Sequence, residues 1–83
     1  MTPEQTSERI FSIITNELAI AEADEIEPDT NLITGGFLDS INAMRLVSQI
    51  ERDFDTKIPP RDLIPANFLS IDAITRYLSN RPS

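Results

Sequence analysis

Ile41 to Phe54 is the most helix-like run in this chain, and the residues just ahead of it fix where it starts. Ile41, Met44, Val47, Ile50 and Phe54 recur at steps of three, three, three and four, with Ala43 and Leu46 broadening the stripe. Asp39-Ser40 stands directly before the run, and both residue types are favoured at helix starts because a short side-chain oxygen satisfies the first free backbone N–H groups. Upstream, Gly35-Gly36 permits backbone angles that other residues avoid, and Phe37-Leu38 offers two large apolar groups to pin the segment on a core. The expectation is a helix over about 40–54, capped by Ser40, whose apolar stripe packs on a neighbouring helix.

Two further helices flank it. Thr2 as cap, Pro3 at the first helical position and Gln5 three residues past the cap form a capping box. Ile10, Phe11, Ile14, Leu18 and Ala21 then mark one buried face, with Glu4, Glu8 and Glu17 on the other, so the first helix covers about 3–20. Near the other end Ser70 caps a last helix with Asp72 in its first turn; Ile71, Ile74, Tyr77 and Leu78 form its stripe, and Asn80-Arg81-Pro82 ends it. Pro59-Pro60 and Pro65 leave room between them for one short helical turn. Asn67-Phe68-Leu69 then connects to the last helix. No segment alternates like a strand. The predicted fold is all-α: a small four-helix bundle, three main helices plus one short one, over a single domain spanning 1–83.

The first connection is long, roughly 18 residues, which is uncommon in a compact domain. Its Glu22–Asp29 stretch holds five acids but places Ile26, Pro28 and Gly35 where a calcium loop needs ligands, so it is read as a solvated loop and not a metal site. Leu32 and Ile33 are its apolar anchors.

Charge and residue usage remove whole function classes. Residues 1–39 hold nine acids and one base, residues 40–83 five acids and six bases, giving −8 and +1 and a net charge of −7. Such a chain repels nucleic acid, whose binding is carried by Lys and Arg. The longest apolar run, Leu18–Ala21, is far short of a membrane span. With no Cys and no signal-peptide pattern, the expectation is a cytoplasmic, freestanding monomer. The chain also has no His, and its one Lys is Lys57, so Ser40 lacks the base a serine nucleophile needs. A carboxylate pair such as Glu51 and Asp55 resembles exposed helix-end charges more than a catalytic pair. Independent catalysis is not expected. Ser40 is then either a simple cap in a small helical interaction module, or a hydroxyl displayed for another enzyme to modify.

Gly36-Phe37-Leu38-Asp39-Ser40-Ile41 resembles the attachment motif of the acyl carrier and peptidyl carrier protein family, an Asp-Ser followed by Leu, Met or Ile at the start of the second helix. The similarity extends to the acidic long loop, Asp53-Phe54-Asp55 with Ile58, Asn67-Phe68 and the capped last helix. It implies a covalent 4′-phosphopantetheine arm on Ser40, added from coenzyme A by a phosphopantetheinyl transferase, on which an acyl, aminoacyl or peptidyl unit rides as a thioester. A loading ligase and downstream synthase enzymes are the further partners it implies. Asp39 would help place the incoming group. Leu38, Ile41, Met44, Arg45, Ile58 and Ile64 would line a shallow groove for the arm or meet partner enzymes, although helical apolar residues are more often plain core. Fatty-acid carriers have an acidic second helix; here Arg45, Glu51, Arg52 and Asp53 cancel. That departure points to a specialised polyketide-like or nonribosomal-peptide-like pathway.

Overall fold

The computed structural model describes residues 2–18, 20 and 22–80. Three α-helices, α1 (Pro3–Ser12), α2 (Ser40–Asp53) and α3 (Ile71–Ser79), enclose one apolar core, and no strand occurs among the described residues. The capping box forms as expected: Gln5 N–H donates to Thr2 Oγ1 at 3.2 Å, and Thr2 N–H to Gln5 Oε1 at 2.9 Å.

The first helix continues past α1 as a π-helical turn, Ile13–Glu17, closed by Leu18 N–H donating to the Ile13 carbonyl at 2.9 Å. The wider turn accompanies the burial of adjacent isoleucines: Ile10, Ile13 and Ile14 are wholly buried and Leu18 nearly so, while Phe11 is half-buried. Ile13 is therefore a core residue that the periodicity omitted. The expected contribution of Ala21 lies outside the described residues, as do Arg81 and Pro82 at the end of α3. α1 packs on α3, and its π-helical extension packs on α2.

α2 buries a different stripe from the one its three-residue steps suggested. Leu46, Val47 and Ile50 are buried, whereas Ile41 is 72% and Met44 58% exposed. Each three-residue step covers about 300°, so the pattern drifts backwards around the axis. Over nine residues it accumulates half a turn, leaving Ile41 diametrically opposite Ile50. Ala43 and Leu46, which looked like additions to the stripe, lie on the true core side.

The first connection contains one 3-10 turn, Ala23–Glu25, and is tied to the far side of the bundle by two backbone bonds. Asp72 N–H donates to the Pro28 carbonyl at 2.9 Å and Leu32 N–H to the Leu69 carbonyl at 2.7 Å. The second connection resolves its expected short helix into two one-turn 3-10 segments, each begun by a proline: Pro60–Asp62 and Pro65–Asn67. α3 starts as expected, with Ala73 N–H donating to Ser70 Oγ at 3.0 Å, and it buries Ile71 and Ile74.

Candidate functional site

The start of α2 is set by a short, tightly bonded turn. Asn31 Oδ1 accepts from Ile33 and Thr34 N–H, and the Asn31 carbonyl accepts from Gly35 N–H at 2.9 Å. A Cβ on Gly35 would stand 2.6 Å from that carbonyl, so only glycine fits. Gly36 has φ +81°, in the left-handed region where glycine carries no penalty. Phe37 and Leu38 N–H then both donate to the Leu32 carbonyl, at 3.0 and 2.9 Å. Leu32 is wholly buried, so the turn leads from the core straight to Asp39.

Asp39, not Ser40, is the cap. Its backbone is extended, and its Oδ1 accepts from Asn42 N–H at 2.7 Å. Ser40 is the first helical residue, exposed, and its hydroxyl makes no hydrogen bond among the described residues. The capping role expected of Ser40 is thus corrected: an aspartate with β-region angles already fills it one residue earlier. What remains is a primary alcohol held in open solvent at the positive end of a helix.

The other candidates divide. Leu38, Met44 and Ile64 converge with Ile33, Val47 and Phe68 around an apolar cavity of about 200 Å³ between α2 and the second connection. Leu38 is buried in its floor, whereas Ile64 is 47% exposed at its rim. Arg45 is exposed and borders a separate cleft with Glu17 and Ser48. Ile41 projects into solvent beside Ser40. Ile58 is brought to neither place: it is buried, with its N–H held by Glu51 Oε2 at 2.8 Å. That bond also occupies Glu51, while Asp55 lies beyond the end of α2 with φ +49°, so the two form no catalytic pair. Ile33, expected as an anchor of the loop, is instead exposed at the rim, as is Leu63; neither was expected at the site. Apolar residues in a proline-bounded or turn segment were the signal for them.

A small helical bundle that presents a free serine hydroxyl at the head of its second helix defines a carrier-type scaffold. The phosphopantetheine attachment site family matches residues 8–78, and the chain belongs to it. The cofactor of this family is covalently bound 4′-phosphopantetheine. Relatives include an acyl carrier protein of Chlorobium phaeobacteroides, 29% identical over 75% of this chain and 78% of the relative. Another is aminoacyl carrier protein 2 of Bradyrhizobium diazoefficiens, 28% identical over 88% of this chain and 82% of the relative. Among solved structures, a chain in the crystal structure of Bradyrhizobium japonicum glycine:[carrier protein] ligase complexed with glycylated carrier protein superposes with a TM-score of 0.66. It is 26% identical and covers 89% of this chain and 95% of that one.

Proposed function

We propose that the protein carries an aminoacyl or small acyl unit as a thioester on a 4′-phosphopantetheine arm attached to Ser40, without catalysing chemistry itself. The observation that carries this reading is the unbonded, exposed Ser40 hydroxyl, left over because Asp39 caps the helix. A phosphopantetheinyl transferase would join Ser40 Oγ to the pantetheine-side phosphorus of coenzyme A, with adenosine 3′,5′-bisphosphate leaving and the serine proton passing to the transferase. The phosphodiester so formed lies at a helix N-terminus, where the macrodipole favours negative charge. The arm's thiol supplies the nucleophile that a chain without cysteine lacks.

The apolar cavity supports a small cargo. At about 200 Å³ it is smaller than the roughly 300–1,000 Å³ of pockets that enclose drug-sized ligands. It suits the end of the arm or a small cargo, with a long acyl chain left in solvent. The aminoacyl carrier relative and the glycylated carrier structure support the same class, and a loading ligase as partner. No described helix is long and apolar enough to cross a membrane; the reading adds a cytoplasmic monomer that acts as a separate carrier in a specialised pathway.

The test is intact mass after incubation with coenzyme A and a broad-specificity phosphopantetheinyl transferase, beside Ser40→Ala. The expected result is a gain of one phosphopantetheine in the wild type and none in the variant. No gain by a folded wild type would favour a helical interaction module instead, and a gain by Ser40→Ala would move the attachment elsewhere.

A further inference from the structure

Four of the residues around the apolar cavity, Leu63, Ile64, Pro65 and Phe68, come from the second connection. All of them lie on or next to one short closed loop. Asn67 Nδ2 donates to the Asp62 carbonyl at 2.8 Å, which joins the two ends of residues 62–67. Within the loop, Asn67 N–H donates to the Ile64 carbonyl at 3.0 Å, and Phe68 N–H donates to the Pro65 carbonyl at 3.0 Å. Where this closed unit sits decides where its wall of the cavity stands.

Tyr77, on α3, holds that unit at two points. Its hydroxyl donates to Asp62 Oδ2 at 2.6 Å, the short length of a hydrogen bond to a carboxylate. Its ring lies 5.9 Å from that of Phe68, centroid to centroid, with the planes tilted by 48°, as in a favourable aromatic pair. Phe68 is buried and lines the cavity, whereas Tyr77 and Asp62 are half-buried and line no part of it. The other side of the cavity comes from α2 and from the turn before Ser40, through Met44, Val47 and Leu38. One side chain of α3 thus ties down the wall that faces the serine's side of the cavity.

We propose that Tyr77 and Asp62 are positioning residues for the cargo: by fixing the second connection on α3, they hold the cavity to a size that shields a short acyl or aminoacyl thioester and leaves a long one exposed. The proposal rests on the arm being attached at Ser40. Neither residue touches the cargo; they act through Leu63, Ile64 and Phe68, which the clamp keeps against the cavity. A nucleophile reaches an enclosed thioester only while that wall is displaced, so the cleavage rate follows the population of the opened form. A phenolic hydrogen bond to a carboxylate is among the stronger ties a loop can make, and its loss raises that population.

The experiment loads wild type and variants from acetyl-, butyryl- or dodecanoyl-coenzyme A with the same transferase. Intact mass then follows cleavage by hydroxylamine, which takes the acyl group as a hydroxamate and leaves the arm thiol free. The matching acyl-pantetheines give the unshielded rate. Wild type should be cleaved more slowly than these for acetyl and butyryl, and about as fast for dodecanoyl. Tyr77→Phe, which keeps the ring, and Asp62→Ala should each speed cleavage of the short thioesters about tenfold, as expected for one lost hydrogen bond to a charged group. The double variant should be cleaved no faster than the faster single one, because both remove the same bond. Arg9→Gln breaks the 2.6 Å ion pair of Arg9 with Asp53, neither of which lines the cavity, and should leave the rates unchanged. Equal rates for Tyr77→Phe and wild type overturn the proposal. So do additive effects in the double variant, or an equal acceleration by Arg9→Gln, which would report general loosening. Short thioesters cleaved in wild type as fast as in acyl-pantetheine would overturn it together with the small-cargo reading. Failure of the wild type to gain mass would instead remove the assignment of Ser40, so the failures are distinct. Circular dichroism of each variant establishes that it is folded.

Discussion

The two irregular connections of this bundle border the same apolar cavity but are built differently. The first, leading to Ser40, is fastened across the molecule: Pro28 to Asp72, Leu32 to Leu69, and Phe37 and Leu38 back onto Leu32. The second, between α2 and α3, relies mainly on bonds within its own proline-led turns, Asp62 to Pro59, Leu63 to Pro60, Asn67 to Ile64 and Phe68 to Pro65. It shares the Leu32–Leu69 backbone bond with the first connection, and its side-chain ties include Glu51 to Ile58 N–H, and Asp62 accepting from the Tyr77 hydroxyl at 2.6 Å and, through its carbonyl, from Asn67 Nδ2. The first connection is a frame that fixes where the serine stands. The second is a wall that puts the exposed apolar residues Leu63 and Ile64 at the cavity's rim.

The sharpest way to break this contrast is a matched pair on opposite sides of that cavity. Leu38→Ala removes a buried side chain from the frame and should cost about 2–5 kcal/mol in urea unfolding. Ile64→Ala removes a half-exposed rim residue and should cost under about 1 kcal/mol. Similar losses would mean that both connections are core structure. The glycine turn is the next test. Gly35→Ala sets a Cβ 2.6 Å from the Asn31 carbonyl and should cost about 1–3 kcal/mol as the backbone shifts. Gly36→Ala has open space around it and pays only for φ +81°, about 1–2 kcal/mol.

How much of this was legible beforehand depends on whether a feature is local. The capping box at Thr2, the Ser70 cap and the three helices follow from side-chain chemistry within four residues, and all were readable. The face of α2 was not, because steps of three fit a helix locally yet drift through half a turn between Ile41 and Ile50. Only packing against the π-helical extension of α1 and the shared core decides which end of that drift is buried. The cap of α2 was misplaced by one residue because Asp and Ser are equally good caps, and the choice turns on the backbone angles that the Gly35-Gly36 turn delivers. The inward turn of Glu51 and Asp53 depends on Ile58 and Arg9, far along the chain or beyond a loop, so no helical-wheel argument reaches it.

That misplaced cap gives a smaller prediction. Asp39→Ala should lose about 1 kcal/mol through the Asn42 N–H bond, whereas Ser40→Ala should stay within about 0.5 kcal/mol of wild type. Thermal unfolding of the two variants side by side checks it, and a larger loss from Ser40→Ala would restore that residue as the cap.

The smallest effect is expected where the first connection begins, at its exposed acidic turn. Glu22 adopts φ +60°, and the hydrogen bond that a protonated Glu25 carboxyl donates to Glu22, together with the like charge there, slight desolvation and Asp24, holds the Glu25 carboxyl above its ordinary value. A raised carboxyl favours its protonated form in the fold, so its contribution is present at acid pH and is lost as pH rises through the shifted value. Glu25 is fully exposed, so the consequence is a titration shift and not a change in folding. Glu22→Gln removes the like charge and can donate to the Glu25 carboxylate, which favours the charged form. Side-chain carboxyl NMR of Glu25 should then show its midpoint fall to the ordinary value or below, with unfolding unchanged. An unmoved midpoint would assign the shift to desolvation and Asp24, and would mean that this end of the loop is more tightly enclosed than its bonds suggest.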